Sequence, residues 1–103
     1  MVSRLSDKEA QAAASQLQYP WVLDLQQQVI SYTFNFDNYY QTMAFANAVA
    51  WIAHQYDHHP QMTIGYKTCH IELTTHSAQG LSQLDFSSAT AIEQLPGMTD
   101  EKS

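Results

Sequence analysis

The sequence predicts an α+β domain: a four-stranded antiparallel sheet with three helices packed on one face, in the order α-β-β-α-β-β-α. Three observations carry that expectation. Two Ser-x-x-acid capping boxes, Ser6 to Glu9 and Ser82 to Asp85, mark helix starts near the two ends of the chain. Between residues 29 and 36 the side chains alternate. Ile30, Tyr32, Phe34 and Phe36 stand on one face, and Val29, Ser31, Thr33 and Asn35 on the other, which is the period of a half-buried strand. Further on, Phe45, Ala48, Val49, Ile52, Ala53 and Tyr56 recur at the helical period. A chain of 103 residues, 45% apolar and 14% charged, is one domain with one core, ordered over about residues 5–95.

The elements follow in order. The Ser6 cap opens a helix rich in Ala and Gln over residues 9–17, and Tyr19-Pro20 ends it, because the residue before proline avoids helical angles. Residues 21–25 form a short strand, "DLQQQ" a turn, and "QVISYTFNF" the long alternating strand. Asp37 or Asn38 caps the longest helix, residues 40–57, and Pro60 forbids its continuation. Residues 62–66 are a third strand, with Gly65 permitting a bulge or turn. Residues 68–75 are a fourth, with Cys69, Ile71 and Leu73 on one face and Thr68, His70, Glu72 and Thr74 on the other. "HSAQG" is a loop. The second capping box then starts a helix that runs to about Leu95, where Pro96-Gly97 stops it, and "MTDEKS" is a frayed tail. The uncovered sheet face, or an edge strand, calls for a partner, so a homo-oligomer is expected.

Charge excludes several functions. The net charge is −6, with four Lys plus Arg, too few cations to hold nucleic acid or an anionic membrane. Cys69 is the one cysteine, so there is no internal disulfide and no CxxC pair. The first residues lack an apolar signal core, and no run is long enough to span a membrane. The expected location is the cytoplasm.

The chemistry concentrates in "HQYDHHP", residues 54–60, at the predicted end of the long helix. In a continuous helix His54 and His58 share a face, and His59 points about 100° away from His58. Imidazoles there suit proton transfer near neutral pH, helped by the helix C-terminus and by Asp57. The pattern leaves three readings open. One is an acid/base site. Another is a metal site using His54, His58 and His76, although Gln55 stands where an HExxH motif needs glutamate. The third is packing alone. Asp85 has a capping role that is compatible with facing a cleft, His70 reads as a sheet-surface residue beside Glu72, and Cys69 reads as core.

His58-His59-Pro60, five residues, Tyr66, nine residues, His76, eight residues and Asp85 together resemble the signature of the pterin-4a-carbinolamine dehydratase family. "GYKTCHIELTTHSAQGLSQLD" is similar to that family's strand, threonine-histidine, glycine-leucine and aspartate pattern, and the likeness runs from about Trp21 to Leu95. It implies loss of water from 4a-hydroxytetrahydropterin (4a-hydroxytetrahydrobiopterin for the biopterin form) to give quinonoid dihydropterin. That reaction recycles the cofactor of aromatic amino acid hydroxylases. It implies catalytic and pterin-binding roles for His58, His59 and His76, with Asp85 in support. Such proton transfers require neither metal nor redox cofactor. The resemblance also implies a homodimer or homotetramer and a functional link to a hydroxylase. Two positions depart from the family's usual pattern: His54 replaces an acidic residue, and Met62, expected to line the pterin site, replaces tryptophan. Relatives that serve as a dimerisation cofactor for a homeodomain transcription factor, or assist Rubisco assembly, supply the alternative expectation of a non-catalytic binding protein.

Overall fold

The computed structural model describes residues 2–95. The expected stop at Pro96-Gly97 and the expected tail lie outside the described residues. Along the chain run α1 (Asp7–Ser15), β1 (Val22–Asp24), β2 (Val29–Asn35), α2 (Tyr39–Tyr56), β3 (Gln61–Ile64), β4 (Thr68–Leu73) and α3 (Gln83–Glu93). The predicted class and order are therefore observed. The residues expected to form a loop after β4 begin with a single 3-10 turn, His76–Ala78.

Both capping boxes form. Ser6 Oγ accepts from the Glu9 amide while Glu9 Oε1 accepts from the Ser6 amide. Asn38, one of the two expected caps, accepts from the Gln41 amide at the start of α2. The strands pair antiparallel in the order β1-β2-β4-β3. The β1–β2 turn is held by Asp24, whose Oδ1 accepts from the Gln27 amide, and Gln28 takes a left-handed φ of 58°.

Register explains the core. Ile30 stands opposite Leu73, Tyr32 opposite Ile71, and Phe34 opposite Cys69, so one sheet face is continuous apolar surface. Onto it pack Phe45, Val49 and Ile52 of α2, Phe86, Ala89 and Ile92 of α3, and Ala10 of α1. Phe34 is fully buried at the centre, with its ring centroid 4.7 Å from Tyr32 and 4.9 Å from Phe45. Burying such a side chain contributes about 1.5–3 kcal/mol. The opposite sheet face is polar. There Thr33 Oγ1 meets His70 Nδ1 at 2.7 Å, and His70 Nε2 lies 3.4 Å from Glu72. Cys69 is on the core face, and burial pushes its thiol up to about 11, which suppresses the reactive thiolate. Among the described residues no helix is long and apolar enough to cross a membrane.

Strand β3 starts and ends earlier than predicted. The Gly65 amide donates to Thr68 O at 2.8 Å, so Gly65 and Tyr66 belong to the turn into β4 rather than to a strand.

Candidate active site

The histidines leave α2 at a sharp corner. Asp57 adopts φ 51° and ψ 45°, in the left-handed region. The Asp57 amide donates to His54 O and the His58 amide to Ala53 O. That pair of bonds is a Schellman ending, which satisfies helix carbonyls and turns the chain off the axis. His58 and His59 thus lie beyond the helix, and the helical phase relation between them does not apply. His54 stays on α2, exposed, with its ring stacked on Trp51 at 5.8 Å.

The sheet brings the other half of the site alongside. Gln61 of β3 stands opposite Glu72 of β4. His58 and His59 just before β3, and Thr74 and Thr75 just after β4, therefore leave the sheet at the same end. Thr75 leads directly into the 3-10 turn that begins at His76. The result is an open cleft of about 490 Å³ whose walls include Tyr56, His58, His59, Thr75, His76 and Leu84. Two distant segments place three imidazoles around it.

Behind the cleft lies a directed chain of hydrogen bonds. Asp85 is fully buried at the first turn of α3. Its Oδ2 accepts from the Ser82 amide at 2.9 Å and from Thr75 Oγ1 at 2.8 Å. Its Oδ1 lies 2.6 Å from His58 Nε2. A carboxylate only accepts, so Nε2 carries the proton in this pair, and Nδ1 is the ring nitrogen left for other chemistry. Because Thr75 gives its proton to Asp85, the 2.7 Å contact between Thr75 Oγ1 and Ser82 Oγ has Ser82 as donor. Asp85 therefore caps α3 and braces His58 with the same carboxylate.

Met62 does not join this cleft. It stands opposite Ile71 on the core side of β3 and packs against the apolar cluster. Asp57, expected to favour a charged imidazole, is on the cleft wall, as is Val2, which carried no site expectation. Thr75 is the main supporting residue that sequence reasoning passed over. Its signal was its place before His76, and its bond to Asp85 has no local pattern. Among the described residues no three His, Cys, Asp or Glu side chains are grouped to hold a metal ion.

The chain matches the family described as Pterin 4 alpha carbinolamine dehydratase over residues 3–95. A relative from Nitrosomonas eutropha, named "Putative pterin-4-alpha-carbinolamine dehydratase", is 50% identical over 94 residues, which are 91% of this chain and 81% of its own. A crystal structure of a transcriptional coactivator/pterin dehydratase from Brucella melitensis superposes with a TM-score of 0.83 at 27% identity, covering 88% of this chain and 96% of that one. A pterin dehydratase-like protein identified as a RuBisCO assembly factor in the alpha-carboxysome gives a TM-score of 0.63 at 24% identity, over 75% of this chain and 89% of its own; that likeness is one of fold.

Proposed function

The chain belongs to the pterin 4 alpha carbinolamine dehydratase family, and on that premise we propose that it dehydrates a 4a-hydroxytetrahydropterin to the quinonoid dihydropterin. The observation that carries the reading is the meeting of His58, His59 and His76 around one cleft, with Asp85 bonded to His58 from behind. The reaction breaks the C4a–O bond, releases water and forms a C=N bond to the adjacent ring nitrogen. It needs one proton delivered to the departing oxygen and one removed from that nitrogen. Neutral His58, with Nε2–H fixed on Asp85, offers Nδ1 as the base, and the imidazolium that forms is stabilised by the buried carboxylate. His59, from the same segment, and His76, from the 3-10 turn after β4, supply the acid. The proposed role follows an aromatic amino acid hydroxylase, whose reaction leaves the 4a-hydroxy compound behind.

The test is direct. Substrate generated in situ is followed to quinonoid product by absorbance, and the protein is expected to exceed the spontaneous rate. A rate equal to the spontaneous one sinks the enzyme reading and favours the alternative, a protein-binding or assembly role. That alternative has one observation behind it: Tyr39 stacks on Tyr66 at 5.9 Å, and both rings are exposed, as are Tyr40 and Trp51. The same exposed aromatics and the edge strands β1 and β3 support a homodimer or homotetramer. Light scattering is expected to give two or four times the 11.7 kDa chain mass, and a monomer mass removes that proposal.

A further inference from the structure

We propose that a second cleft, adjoining the histidine cleft, receives the substituent carried on the pterin ring and that Arg4 is its recognition residue. The inference rests on the dehydratase reading for the identity of the ring. It rests on a separate part of the molecule for the tail.

This second cleft, about 600 Å³, lies between the N-terminal segment, the β1–β2 turn and the chain after the 3-10 turn. Thr74 and His76 line both clefts, so the two meet at those residues. A ligand whose ring lies among the imidazoles has this space as the continuation past His76. The remaining walls are Arg4, the amides of Gln26, Gln27, Gln28 and Gln79, Gly80 and one apolar side chain, Val29.

The site is braced. Arg4 pairs with Ser82 in an antiparallel bridge, and the Leu5 amide donates to Leu81 O at 2.8 Å. Arg4 Nη1 donates to Gln79 O at 3.2 Å. Gln28 is buried, and its Oε1 accepts from the Leu81 amide while its Nε2 donates to Leu25 O, both at 2.9 Å. Thr74 Oγ1 donates to Gln28 O at 2.6 Å, tying this wall to the residue shared with the histidine cleft. Gly80 makes the arrangement possible. A Cβ there would lie 2.6 Å from Gln28 Oε1 and 2.9 Å from Arg4 Cδ and Nε, so only glycine lets both side chains approach.

The chemistry selects the ligand class. A guanidinium carries five donors in a planar fork, and the contact to Gln79 engages a fraction of them. In a chain of net charge −6 with four Lys plus Arg, one cation held at the end of a cleft favours acceptor oxygens. The fitting tail is therefore oxygen-rich, either a run of hydroxyls or a terminal phosphate.

Two readouts separate this inference from the dehydratase reading. Calorimetry measures Kd for unreactive 7,8-dihydropterins whose C6 substituent is methyl, trihydroxypropyl or trihydroxypropyl phosphate. Arg4→Ala is expected to weaken at least one oxygen-rich ligand about tenfold while leaving the methyl ligand within twofold, and Arg4→Lys to restore part of the loss. Gly80→Ala, which displaces Arg4 from its seat, is expected to show the same selective loss. The arm that loses more, hydroxyl or phosphate, identifies the tail. An equal change for all three ligands, or no binding of any, overturns the subsite. Turnover is scored apart: selective Kd losses without turnover above the spontaneous rate sink the dehydratase reading and leave the subsite standing.

Discussion

His58→Ala is expected to lower kcat/KM for 4a-hydroxytetrahydropterin by about 10²–10⁴-fold, the usual contribution of one positioned proton-transfer group. The loss should fall on kcat, because removal of the ring-nitrogen proton as the C4a–O bond breaks is a transition-state interaction, while His59, His76 and the cleft walls still bind the ring. Asp85→Asn reaches the same ring indirectly. The variant keeps an oxygen that can accept from His58 Nε2. It then turns its NH₂ towards the Ser82 amide and Thr75 Oγ1, two groups that donate to Oδ2 in the native chain. Either rotamer leaves a donor facing a donor. The expected cost is about 10–100-fold in kcat, as for other partners that orient a functional imidazole, with KM changed little. Circular dichroism separates this from unfolding, because α3 keeps its Ser82 cap. If His58→Ala turns over at the native rate, the acid/base role given to this residue is lost. If Asp85→Asn alone is silent, the buried carboxylate is a cap and nothing more.

What the sequence makes legible is local. A capping box is read from four residues, and both boxes form as expected, because each closes its own hydrogen bonds within one turn. The alternation across β2 and the 3.6-residue period of α2 are likewise periodic signals of single elements. What the sequence conceals is set by contacts between elements. The histidines could be seen to cluster, but the left-handed Asp57 that swings His58 and His59 off the helix has no glycine to announce it. The helical phase between His54 and His58 therefore misled, and His54 stacks on Trp51 instead. Met62 carried a binding expectation from its place after Pro60; the β3–β4 register turns it to the core. Thr75, Gln28 and Arg4 serve clefts through partners 10, 53 and 75 residues away, and none of these pairs has the spacing of a helix or strand repeat.

The same blindness applies to Glu93, where the largest stability effect is expected. Near the end of a helix, a glutamate reads as a solvated surface residue. In the fold it is buried on α3, and its carboxylate accepts three hydrogen bonds. Oε1 takes the Gln18 amide at 2.9 Å; Oε2 takes the Tyr19 amide at 2.8 Å and Trp21 Nε1 at 2.7 Å. These donors belong to the segment joining α1 to β1, whose Tyr19 and Trp21 rings pack on Phe34. Glu93 thus ties the last helix to the connection that carries part of the aromatic core. Glu93→Ala leaves two main-chain donors and an indole donor without their acceptor in a space mostly closed to water. Each orphaned buried donor costs about 1–3 kcal/mol, and Gln18, being exposed, recovers part of its share from solvent. The net loss is expected to be about 3–5 kcal/mol, a large part of the 5–15 kcal/mol that holds a typical domain folded. Glu93→Gln should lose less, because its carbonyl can serve Tyr19 and Trp21 while its NH₂ opposes only the Gln18 amide. Urea unfolding followed by Trp21 and Trp51 fluorescence measures both. The order native, Gln, Ala in midpoint, with unchanged slope, is the expected result. An Ala variant as stable as the native chain would mean that water replaces the carboxylate at no cost, and that the core holds this connection without it.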